Sequence, residues 1–91
     1  MALTKETVVD KIEVLEMGQV QVRTATRIKE DGTQLSQAYS RHIVMPSTKT
    51  GDIWGDTDIS GEDARVQAIA TATWTSAVKT AYQEMVDAQE L

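Results

Sequence analysis

The residues most able to do chemistry lie in one acidic loop. Asp56-Thr57-Asp58-Ile59-Ser60-Gly61 places oxygen-bearing side chains at alternate positions and a glycine at the sixth. Calcium needs several hard oxygens on a sharply bent backbone, and a helix–loop–helix calcium loop opens in this way. The rest of the pattern breaks. Gln67 stands where a bidentate glutamate should close the loop, Asp63 replaces the usual apolar anchor, and no helical pattern leads into Asp56. Asp56, Asp58 and Ser60 are a weak calcium alternative to a capped helix start with solvated carboxylates. No metal or other cofactor is expected.

His42 is the single histidine. A general base needs an orienting partner, and a metal site needs further ligands. The sequence supplies neither, so His42 reads as a solvated strand residue near Arg23 and Gln21. The serines and threonines have no His–Asp arrangement beside them, and no glycine-rich phosphate loop or zinc-spaced cluster occurs. The chain is not expected to be an enzyme. Ile53-Trp54, between Gly51-Asp52 and Gly55-Asp56, is a different kind of signal. Apolar residues in a polar loop either fold back onto a core or anchor a partner.

The elements that hold these residues divide into a β half, residues 7–45, a loop, residues 46–59, and a helical half, residues 60–88. Asp31-Gly32 predicts a two-residue type I′ hairpin turn, which needs positive φ at both central positions. The register that follows sets Ile28 against Leu35, Thr24 against Tyr39 and Val20 against Ile43, all on one face. In the first hairpin, a turn over Glu16-Met17-Gly18 pairs Val14 with Val20 and Ile12 with Val22, and puts Gly18 in the left-handed position of a turn plus bulge. Val8, Ile12 and Leu15 also fit a helical spacing, but the β-branched residues and the hairpin signals favour a strand. Ser60 is expected to cap a first helix with Val66, Ile69, Ala70 and Thr73 inward. Thr75 is expected to cap a second, with Val78, Ala81, Tyr82, Met85 and Val86 inward. The predicted fold is α+β: a three-stranded antiparallel β-meander followed by two short α-helices packed on one face.

With 91 residues, the chain is expected to be one domain, 1–91, whose modest core makes partners valuable. The net charge of −5 and the lack of a basic run argue against nucleic acid. The absence of cysteine excludes disulfides and thiolate chemistry. No apolar run approaches the ~20 residues that span a bilayer, and the start Met-Ala-Leu-Thr-Lys-Glu-Thr lacks the apolar core of a signal peptide. The sequence reads as a complete gene product starting at Met1. Lys11 and Glu13 protect the edge of the first strand, whereas the third, residues 34–45, carries only Arg41 and His42 and is the better acceptor of a neighbour's strand.

Several stretches together resemble a family of short (about 70–95 residues) uncharacterised tailed-phage proteins. They are Asp10-Lys-Ile-Glu-Val14, Val20-Gln-Val-Arg-Thr-Ala-Thr26, Glu30-Asp-Gly32, Tyr39-Ser-Arg-His42, Ser60-Gly-Glu-Asp-Ala-Arg-Val-Gln-Ala-Ile69 and Ala81-Tyr82. Genes of this family tend to lie among tail, baseplate and tail-fibre genes. The family has no established catalytic residues, and its relatives tend to have a short Pro-Gly-Asp turn where this chain has the longer loop with Trp54. The resemblance implies a small virion structural protein, made in the host cytoplasm, at the tail, baseplate or fibre attachment. A capsid decoration protein and a non-virion assembly chaperone or host-interaction factor are the alternatives. The expected partners are other phage structural proteins, with the chain itself homo-oligomeric or present in several copies. The candidate contacts are Trp54, Ile53, Tyr39, Arg41 and His42.

Overall fold

A computed structural model describes residues 2–89. The chain runs β1 (Leu3–Val14), β2 (Val20–Glu30), β3 (Thr33–Val44), β4 (Ser47–Thr50), β5 (Ile53–Asp56), α1 (Ala64–Thr73) and α2 (Ser76–Gln89). β1, β2 and β3 form one antiparallel sheet in that order, and β4 and β5 form a second, two-stranded one. The architecture is mixed α+β. Residues 46–59, expected as a loop, instead contain the β4–β5 hairpin. Thr50 pairs with Ile53 across Gly51-Asp52, and Gly51 has φ +62. Glycine with positive φ at the first central position is the feature of a type II′ turn, which matches strand twist.

Both long hairpins close as their turn residues dictate. Asp31 and Gly32 have φ +50 and +86, the two positive angles of a type I′ turn. In the first hairpin, the Gly18 amide donates to the Leu15 carbonyl at 3.0 Å and the Leu15 amide to Gln19 at 2.8 Å, with Gly18 at φ +87. Val14 pairs with Val20 and Ile12 with Val22, as the sequence predicts.

The second register needs correction. Glu30 faces Thr33 and Lys29 faces Gln34, but the ladder then shifts, and Ile28 meets Ser36 rather than Leu35. Leu35 is an extra residue in β3. From there to the far end every β3 side chain is on the opposite face from the one expected: Thr24 pairs with Ser40, Tyr39 with Ala25, His42 with Val22, and Val44, not Ile43, with Val20. Side chains alternate with period two, so a one-residue insertion flips a whole strand. The first ladder shifts too, at Asp10 between Val9 and Lys11.

The core sits at one end of the sheet. Val20, Val22 and Val44 pack with Val66, Ala70 and Trp74 of the helical half, and Val9, Ile12, Ile59 and Val78 border them. Helix α1 starts one turn later than predicted. Its N-cap is Asp63, whose carboxylate accepts the Arg65 amide at 2.9 Å. Ser60 instead donates its amide to Asp58 Oδ1 at 2.9 Å, in a turn ahead of the helix. Thr75 caps α2 as expected, its hydroxyl accepting the Val78 amide at 3.3 Å. Of the side chains expected inward, Val66, Ala70 and Tyr82 are buried, while Ala81 is exposed.

Strands of this length reach about 40 Å, and the core occupies only part of that length. The molecule measures 57 × 26 × 22 Å with a radius of gyration of 17.1 Å. A compact chain of this size would have about 12 Å. The sheet is an arm that extends past its core. Every residue of β3 from Thr33 to Ile43 is exposed, and Val44 alone is buried.

Candidate functional site

The arm carries a polar network on the face opposite the core. The register places Arg23, Ala25 and Arg27 of β2 there with Tyr39 and Gln37 of β3. Arg23 makes a two-pronged contact with Asp10, Nε to Oδ1 at 3.0 Å and the second amine to Oδ2 at 2.8 Å. That fork geometry is the strongest form of a carboxylate–guanidinium pair. It holds the Asp10 carboxyl below its ordinary value. The same guanidinium lies 4.3 Å from the centre of the Tyr39 ring, a cation–π contact that fixes the ring on the sheet. Arg27 Nε donates to Gln37 Oε1 at 2.7 Å, and the Gln37 amide reaches the Tyr39 hydroxyl. Lys29 and Arg27 flank Glu6, at 2.8 and 3.8 Å, and the Lys29 ammonium holds the Glu6 carboxyl low. Ala25, with Val8 and Tyr39 as neighbours in register, is fully buried among these chains.

The Asp10 bulge is tied to the helical half. The Arg65 guanidinium of α1 donates to the Val9 carbonyl beside it. A bulge leaves backbone groups off the ladder, and a side-chain donor from another element can satisfy one.

The five residues expected to make partner contacts do not form one site. Trp54 is folded back on α2. Its ring meets Tyr82 edge-on at 6.0 Å between centroids, and its indole N–H donates to Asp87 Oδ2 at 3.2 Å. Lys49 bridges Asp87 at 2.9 Å and lies 5.6 Å from the Trp54 ring. The two donors hold the Asp87 carboxyl low, Lys49 more than Trp54. Ile53, beside it, is 75% exposed at the hairpin tip. Tyr39 and Arg41 share the network face of β3. His42 does not join them on the polar face, where the sequence reading placed it. The Leu35 bulge turns it to the core side, where Nε2 is 2.8 Å from Glu62 Oε1 just ahead of α1.

The three oxygens of the calcium alternative are also dispersed. Asp56 pairs with the Lys79 ammonium at 2.9 Å. Asp58 accepts the Ser60 amide, and this backbone hydrogen bond lowers its carboxyl. Among the described residues, no group of three or more His, Asp or Glu side chains could hold a metal ion.

Trp74, not singled out in the sequence, is the side chain on which the core closes. Its indole N–H donates to the Gly18 carbonyl at 2.6 Å, joining the helix junction to the first turn. The sequence signal was a tryptophan lodged between two helical stretches just before a capping threonine. Two shallow cavities flank this region. One of about 190 Å³ is lined by Glu16, Met17, Ala77, Val78 and Ala81, and one of about 230 Å³ by residues including Asp56, Trp74 and Lys79. No described helix is long and apolar enough to cross a membrane. Comparisons with known protein families, with curated proteins and with solved structures find nothing that matches the chain.

Proposed function

We propose that the chain is a non-enzymatic structural component of a tailed phage particle, acting as a small adaptor at the tail, baseplate or fibre attachment. The observation that carries an adaptor role is the arm: a three-stranded sheet extending beyond its core, with β3 exposed over Thr33–Ile43. An uncovered edge strand offers a row of backbone donors and acceptors to another chain. In this reading both helices cover one face of the sheet at its turn end, and the arm and the Ile53 hairpin tip face other structural proteins. The phage setting rests on the sequence resemblance given above.

The test is mass spectrometry of purified particles of the phage that encodes the chain. The expected result is the protein in fixed stoichiometry with tail proteins. Stoichiometry with the major capsid protein would move it to capsid decoration, and its absence from particles would remove the virion reading.

A further inference from the structure

Three cations stand in line across the arm. Lys11 of β1 pairs with Arg23 of β2, and Arg23 pairs with Arg41 of β3. With Glu13 and Gln21 they line a small cavity of about 20 Å³ on the network face. We propose that this row is a subsite for one carboxylate of a partner protein, with Arg41 as its principal donor. The proposal deepens the adaptor reading, from which it takes the arm as a contact surface.

Like charges directly opposite one another disfavour a sheet, and here two such pairs share the same middle residue. That middle cation is satisfied within the chain. Asp10 holds the Arg23 guanidinium in its two-pronged contact, and the Tyr39 ring centre lies 4.3 Å from it. Lys11 has Glu13 at 4.0 Å, with both side chains well exposed, and an ion pair of that kind is weak. Arg41 is exposed, and its guanidinium has no hydrogen-bond or ion-pair partner among the described residues. Its donors form a rigid planar fork that matches a carboxylate. An arginine placed against another arginine, with nothing in the chain to pair it, is set up for an anion from outside.

The charge count selects the anion. Three cations face two carboxylates, Asp10 and Glu13, which leaves one positive charge on this patch of a chain whose net charge is −5. A singly charged carboxylate neutralises it, whereas a phosphate dianion would add negative charge in excess beside Glu13. The volume agrees. A cavity of about 20 Å³ admits one oxygen the size of a water and not a whole tetrahedral anion. A carboxylate can seat one oxygen there, with the Gln21 amide as a further, uncharged donor, and offer the other to the Arg41 fork. The openness of the sheet selects the source. Free small ligands bind where most of their surface is buried, which this face does not provide. An acidic side chain arrives together with the rest of a partner's surface.

The test is an NMR titration of the full chain, followed through the Gln21 side-chain amide at constant ionic strength. The probes are the capped peptide acetyl-Gly-Glu-Gly-amide, its glutamine counterpart and inorganic phosphate. The glutamate peptide is expected to give a saturable shift, the glutamine peptide none, and phosphate a weaker response than the glutamate peptide. The response should be lost in Arg41→Gln and partly kept in Arg41→Lys, which retains the charge without the fork. Without any probe, Arg41→Gln should melt no lower than wild type, because a cation opposite Arg23 has been removed. No saturable shift, equal responses to the two peptides, tighter binding of phosphate, or a response that survives Arg41→Gln overturns the proposal. A lower melting temperature for Arg41→Gln overturns it too, by showing that Arg41 serves the fold. A failed titration with the protein still present in particles would leave the adaptor reading standing on another contact. Binding by a protein absent from particles would remove the virion setting and leave the subsite.

Discussion

The Gly18 carbonyl accepts the Trp74 indole N–H at 2.6 Å, across 56 positions of sequence. The same glycine has no room for a side chain. A Cβ built on it would stand 2.4 Å from Val78 Cγ1 and 3.2 Å from the Pro46 ring. The first turn is thus locked by its backbone angle, by contact with α2 and by a hydrogen bond from the helix junction.

Gly18 and Gly32 separate two of these causes. Their φ angles are +87 and +86, but nothing lies within 4 Å of a Cβ at Gly32. Alanine at either position meets the left-handed penalty of about 1–2 kcal/mol. Only Gly18→Ala adds overpacking against Val78, about 1–3 kcal/mol more. Urea denaturation should place Gly18→Ala well below Gly32→Ala, and equal midpoints would mean the Val78 contact yields freely. Gly32→Val, with a β-branched side chain at a left-handed position, should cost about 1–3 kcal/mol.

Trp74→Phe keeps an aromatic ring in the core but leaves the Gly18 carbonyl without its donor. An unpaired buried acceptor and the lost ring volume together should cost about 2–4 kcal/mol. A change in urea midpoint equivalent to less than about 1 kcal/mol would show that water replaces the indole at that carbonyl.

Acid should weaken the fold through its paired carboxylates. Glu6, Asp10, Asp58 and Asp87 all titrate below their ordinary values in the folded chain. A depressed folded value means the unfolded chain binds protons first as pH falls. The stability these groups contribute is therefore full above the ordinary carboxylate range, near pH 4, and is lost below it. Asp10→Asn should narrow the difference in urea midpoint between pH 7 and pH 3, because asparagine does not ionise and, with one side-chain oxygen, loses the two-pronged Arg23 contact at both pH values. The same difference in wild type and variant would assign the acid sensitivity to the other three groups.

Trp54→Ala tests whether this tryptophan serves the fold or a partner. The structure uses it internally, against Tyr82 and Asp87. Its loss should lower stability by about 1–2 kcal/mol, from half-buried aromatic area and one edge-on contact. A variant with wild-type stability that fails to enter particles would transfer Trp54 to the interface.

The two turns of the long sheet were legible because positive φ has few possible hosts, and Gly18 and Asp31-Gly32 advertise it. The bulges were not. Asp10 and Leu35 look like ordinary strand residues, and the displaced Val9 carbonyl is satisfied by Arg65, 56 positions away. Without the Leu35 insertion, Tyr39, His42 and Ile43 fall on the wrong faces. The β4–β5 hairpin carries a readable Gly51-Asp52 signal between threonine and isoleucine, but four-residue strands are too short for a period-two pattern to show. Trp74 could not be placed from local pattern, since its burial depends on a turn near the other end of the chain.

The bulges also bear on how such an arm can change length in evolution. Adding two residues to each strand near Asp31-Gly32 would lengthen it by about 7 Å and leave every face as it was. An odd insertion in one strand would invert the exposed pattern beyond it, unless a second irregularity restored the phase. A Cβ at the tip glycine would meet nothing within 4 Å, and the tip is tied to β1 through the hydrogen bonds between Asp31 and Ala2. Reach is therefore a parameter this fold can vary in even steps without touching Trp74 or its neighbours, while the side presented to the outside is set by whether the number of irregularities is odd or even.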